Sequence, residues 1–123
     1  MGGNGSYAAG TTNSEAGRLY KTVGTIGNIQ IVEKKNPKDS HSLPVESHTP
    51  NRVYAEIRAD GKDVGIIAKY DADGKKIWEI HTTPHQNLKD HYHEWKNGKP
   101  VGDPKPLTRE MADILRIVRD FVD

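Results

Sequence analysis

The sequence predicts a single α+β domain: an antiparallel β-meander of about four to five strands, packed by a C-terminal helix and a short N-terminal helix. Three observations carry this. Val53, Ala55 and Ile57 alternate with Tyr54, Glu56 and Arg58, the period of two of a half-buried strand. Asp60-Gly61 and Asp71-Ala72-Asp73-Gly74 then punctuate the chain where hairpin turns are needed. Finally, Met111, Ile114, Leu115, Val118, Phe121 and Val122 form an apolar stripe at helical spacing.

The elements follow in order. Residues 1–12 (MGGNGSYAAGTT) read as a flexible lead-in, because glycine and small polar side chains cannot offset their ordering entropy by burial. The domain proper spans 13–123. Asn13 or Ser14 can cap a short helix whose apolar face is Ala16, Leu19, Tyr20 and Val23, ended by Gly24 and Gly27. Ile29 to Glu33 follows as a strand with Ile29 and Ile31 on one side. Residues 36–51 hold three prolines and many turn formers, which reads as a long loop of the kind that carries function. After the strand at 53–57, Val64 to Tyr70 returns with Val64, Ile66 and Ala68 on one side, and Lys75 to His81 is the third strand of the meander. The Asp-x-Asp-Gly turn is not a calcium loop, since the twelfth position is Thr82 rather than glutamate. Lys96 to Pro100 forms a turn and Asp103 to Pro106 an extended connector. Thr108 caps the last helix, with Arg109, Glu110, Asp113, Arg116 and Arg119 largely outward.

Composition narrows the function. The chain has 123 residues, of which 33% are apolar, so it builds one thin core. Eighteen basic residues against seventeen acidic ones argue against a general nucleic-acid coat while leaving room for a local basic cleft. Absence of cysteine removes disulfides, thiolate zinc sites and cysteine nucleophiles together. No apolar run approaches the roughly 18 residues of a membrane helix, and the opening lacks the pattern of a secretory signal. The expectation is a cytoplasmic protein with no membrane partner.

The chemistry is concentrated between Trp78 and Trp95. His81, His85, His91 and His93 are four of the six histidines and fall within thirteen residues. Glu79, Lys89, Asp90 and Glu94 lie among them and can orient a ring, accept a proton or meet a negative charge. Imidazole titrates near neutral pH, so the cluster suits proton transfer or metal binding. If Tyr92 lies in a strand, His91 and His93 point to one face. Three chemistries compete. In metal-free RNA cleavage one group takes the 2′-hydroxyl proton, another protonates the 5′-oxygen, and a cation holds the phosphate. His91 and His93 are the acid and base candidates; Lys89, Arg52 and Lys69 are the cation candidates, and Trp95 is a further substrate-binding candidate. In the metal-dependent alternative, the H-x-H pair ligates zinc or another divalent ion with His81 or His85. In the third, the histidines are merely solvated and the aromatics are core. Glu46, His48 and Arg52, which lead into the first meander strand, have the makings of an acid, a base and an anion site.

One resemblance bears on these options. Leu43 to Ala55 (LPVESHTPNRVYA), the Asp71-Ala72-Asp73-Gly74-Lys75 turn and His91 to Pro100 (HYHEWKNGKP) together resemble the C-terminal toxin domains of bacterial polymorphic toxins. Such domains also occur fused to phage head-morphogenesis proteins and as short prophage proteins, whose start is similar to Met1 to Tyr7 here. The match covers roughly residues 40–100. It implies a compact α+β domain similar to the barnase, colicin and RelE-like ribonucleases, acting on RNA without a cofactor. The catalytic candidates it implies are Glu46, His48, His81, His91 and His93, with Arg52 binding substrate. It further implies a cognate immunity protein as partner. Asp90 departs from the pattern, standing where a proline is expected. The alternatives to this activity are a histidine-ligated metal-dependent nuclease and a non-enzymatic phage or prophage binding module.

Overall fold

The computed structural model describes residues 20–36, 43, 50–58, 63–82 and 89–122. Among the described residues, seven strands precede one helix: β1 (Tyr20–Ile26), β2 (Ile29–Lys34), β3 (Val53–Ile57), β4 (Val64–Tyr70), β5 (Lys76–His81), β6 (His91–Lys96), β7 (Lys99–Pro106) and α1 (Arg109–Val122). They form one open sheet whose spatial order is the chain order. Every neighbouring pair is antiparallel except β2 and β3, which run parallel. A parallel pair needs a crossover of a dozen or more residues, and the proline-rich stretch between Lys34 and Val53 is long enough to provide it. The meander is therefore larger than expected and interrupted once.

The part of the expected N-terminal helix from Tyr20 onward is a correction. Tyr20 and Val23, assigned to its apolar face, lie in β1, and residues 13–19 fall outside the described residues. Thr22, Val23, Thr25 and Ile26 are β-branched and favour a strand. Gly27, at φ +57°, with Asn28 closes a two-residue hairpin onto Ile29. Local strand chemistry outweighs the helical spacing. Asp103 to Pro106, expected as a connector, forms the end of β7 instead. Pro100, Pro104 and Pro106 are tolerated there because β7 is an edge strand.

Two cores lie on the two faces of the sheet. On one, Ile29, Ile31, Val53, Ala55, Ile57, Val64, Ile67, Trp78 and Ile80 meet Met111, Leu115 and Val118 of α1. Those three helix side chains are fully buried, which contributes about 1.5–3 kcal/mol each. On the other face Tyr20, Val32, Leu43, Tyr54, Ala68 and Tyr70 pack together. β3 is consequently buried on both faces rather than one. An extra residue at Gly65 shifts the register of β4, so Val64 faces the helix while Ile66 and Ala68 face the other way. The expected one-sided set Val64, Ile66 and Ala68 is thereby split.

The readings at Asp71 to Gly74, Asn97-Gly98 and Thr108 hold, while most of the 36–51 loop lies outside the described residues. Asp71 Oδ1 accepts the backbone N–H groups of Asp73 and Lys75 at 2.8 and 2.9 Å, and Gly74 takes φ +80°. Asn97 and Gly98, at φ +55° and +78°, form the β6–β7 turn. Thr108 Oγ1 accepts the N–H of Met111 at 3.2 Å and caps α1. Thr108→Ala should lower stability by about 1 kcal/mol in urea denaturation, whereas Thr108→Ser should leave it nearly unchanged. The Asp60-Gly61 turn lies outside the described residues.

Candidate active site on the sheet face opposite the C-terminal helix

Strand alternation and register assemble the site. His91, His93 and Trp95 occupy every second position of β6 and so share a face. The register sets His81 of β5 directly opposite His91, and Glu79 opposite His93. Tyr92, between the two histidines, packs instead toward the helix-bearing core. The three imidazoles form a compact trio. Ring centroids are 5.6 Å apart for His81 and His91, nearly stacked at 28°. His93 meets His81 and His91 edge-on, at 5.1 Å each. His91 is only 2% exposed, while His81 and His93 are half-buried. The convergence expected for His81, His91 and His93 is thus present.

A buried ion pair stands next to the trio. Lys76 Nζ donates to Glu79 Oε2 at 2.7 Å and to the Leu43 carbonyl at 3.1 Å. The other Glu79 oxygen, Oε1, accepts from His81 Nε2 at 2.7 Å. A carboxylate can only accept, so Nε2 carries the proton and Nδ1 is the ring's acceptor nitrogen. Lys76 also lies over the Trp95 ring, 4.2 Å from its centroid, a cation–π contact. Burial works to raise the Glu79 carboxyl, but the His81 hydrogen bond and the Lys76 ammonium outweigh it and hold the group below its ordinary value. Burial likewise pushes the Lys76 ammonium down, with Glu79 opposing. Glu79 therefore stays ionised and keeps His81 in one tautomer and orientation.

Glu79, His81, His93, Trp95 and Pro100 line a cleft of about 220 Å³. Trp95 Nε1 is buried and has no hydrogen-bond partner among the described residues. A second depression of about 340 Å³ lies beside α1, lined by Asp90, Leu107, Ala112, Leu115, Arg116, Arg119 and Asp120. Arg119 there meets both Asp63 and Asp90, at 3.2 and 3.4 Å, and so ties the start of β6 to the helix.

The other sequence candidates are placed as follows. Lys69 stands on the opposite, helix-bearing face, where its ammonium meets Glu110 at 3.0 Å. It is aligned with Trp78, and its side chain is directed away from the trio. Lys69→Met should accordingly leave any activity of the cleft unchanged and shift stability by less than about 1 kcal/mol, checked by parallel assays and urea titrations. Arg52 enters β3, three strands from β6, or about 14 Å at the usual strand spacing. Its Nε is buried without a hydrogen-bond partner among the described residues. Lys89 is exposed on the approach to β6. Glu46, His48 and His85 lie outside the described residues. Lys76 is the functional-site residue that sequence reasoning misses.

No family model matches the chain, and neither does any curated protein or solved structure. Among the described residues, no helix is long and apolar enough to cross a membrane.

Proposed function

We propose that this chain is a toxin-like endoribonuclease that cleaves RNA by histidine acid/base chemistry without a metal. The observation that carries the reading is the Glu79-held His81 facing His93 in the cleft that Trp95 closes. An imidazole whose Nε2 proton is held by a carboxylate presents Nδ1 as its proton acceptor. His81 takes the proton of the ribose 2′-hydroxyl, and the 2′-oxygen forms a bond to phosphorus. The bond from phosphorus to the 5′-oxygen breaks, and His93, as imidazolium, gives that oxygen a proton. The products are a 2′,3′-cyclic phosphate and a 5′-hydroxyl, with one proton taken and one returned. Trp95 offers a ring for a base to stack on, and Lys89 is the cation proposed for the phosphate oxygens. His91, buried against the His81 ring, acts by positioning it. The resemblance of residues 40–100 to polymorphic-toxin domains supports RNA as the substrate and a cognate inhibitor as the protein partner.

The test is incubation of the purified protein with a structured RNA in EDTA. Wild type should degrade it, and His93→Ala with an unchanged melting curve should not. Activity that EDTA removes and zinc or magnesium restores would favour a metal-dependent nuclease instead. A folded, inert wild type that is harmless on expression would favour a binding module.

A further inference from the structure

We propose that His81, His91 and His93 also form a site for one zinc ion or a similar borderline transition-metal ion, and that its occupation switches the cleft off. One ring nitrogen from each histidine lies within 4.8 Å of the other two. Zinc bonds imidazole nitrogen at about 2.0–2.1 Å, which places tetrahedral ligands about 3.3 Å apart. Bringing these nitrogens to that spacing takes shifts of roughly 1 Å, within reach of small χ rotations on strands whose backbones are already paired.

The surroundings match what a histidine-ligated ion requires. Glu79 accepts the ring proton of His81, the carboxylate–histidine arrangement that fixes a ligand's tautomer and orientation. Lys76 in turn fixes Glu79. Three nitrogen donors without a cluster of oxygens select zinc, cobalt, nickel or copper over calcium and magnesium. Because His81 and His93 border the cleft, a fourth position is open there to water or a small anion. The inhibitory half of the proposal rests on the ribonuclease reading: an ion held by His81 and His93 occupies the nitrogens that must carry protons. The binding half stands without it.

The experiment uses untagged full-length protein freed of metal. Cobalt(II) is titrated while its visible absorption is followed, zinc is titrated by calorimetry, and RNA cleavage is measured in the same buffers. One ion per chain is expected, with an intense tetrahedral-type cobalt band. His93→Ala, with its melting curve unchanged, should weaken binding at least about tenfold. Glu79→Gln should weaken it roughly 10–100-fold. One equivalent of zinc should suppress cleavage at least about tenfold, and EDTA should restore it. Magnesium and calcium should neither bind nor inhibit. No saturable cobalt band, or one that His93→Ala leaves intact, overturns the site. Saturated protein that cleaves at the metal-free rate, or only when zinc is bound, overturns the switch. If no cleavage occurs even in EDTA, the ribonuclease reading fails, and the cobalt spectrum alone decides whether the metal site exists.

Discussion

Glu79→Leu is expected to destabilise the fold by about 3–5 kcal/mol, because it leaves the Lys76 ammonium buried without its counter-charge. The two side chains are 0% and 4% exposed, so solvent screening does little to soften the loss. Lys76→Met should cost a similar amount, stranding the carboxylate with only His81. The double variant Lys76→Met/Glu79→Leu should recover much of the loss, since an apolar pair of similar volume avoids the desolvation of both charges. Urea denaturation of the four proteins gives the coupling directly; additive single effects would show that the two charges do not depend on each other. The pair also sets a pH dependence. The Glu79 carboxyl is held below its unfolded-state value. Its stabilisation is therefore complete above the ordinary glutamate range of about pH 4–5 and is lost as pH falls through the lower folded-state value. Acid titrations of the metal-free protein should show a steeper acid limb for wild type than for the double variant.

The second large effect concerns activity. His93→Ala and His81→Ala should each lower RNA cleavage by about 10²–10⁴-fold, the usual contribution of a positioned acid or base, with the fold retained. Glu79→Gln keeps the size of the side chain and a hydrogen-bond acceptor but removes the charge that fixes His81 in one tautomer. It should lower the rate per folded molecule. A purely structural Glu79 would lower the amount of folded protein and leave the rate per folded molecule alone.

The sequence revealed the histidine trio more readily than the groups that support it. His91, His93 and Trp95 fall on one face by strand alternation alone, the turn at Asp71 to Gly74 brings β5 beside β4, and Asn97-Gly98 brings β7 beside β6. The Lys76–Glu79 pair was hidden by a single residue. Three apart, the two would point to opposite faces of a regular strand. The register of β5 against β4 slips at Ile77, with Lys69 opposite Trp78 and Tyr70 opposite Lys76, and the bulge turns both charges to the same side. Gly65 has the opposite effect in β4, turning Val64 and Ile66 to different faces. Bulges depend on pairing partners, which the residues of one strand do not encode. The parallel β2–β3 contact was obscured for a related reason: the loop before Val53 is proline-rich whether it closes a hairpin or makes a crossover. Lys69 looked like a phosphate ligand from its charge, but its place in the alternation commits it to the helix face.

The most direct measurement is product analysis on two matched substrates in EDTA, an RNA oligonucleotide and the same strand with a single 2′-deoxy ribose at the cleaved position. Histidine acid/base cleavage predicts a 2′,3′-cyclic phosphate from the first and no cut at the deoxy position in the second. Equal cleavage of both, or none of either by folded wild-type protein, would contradict it.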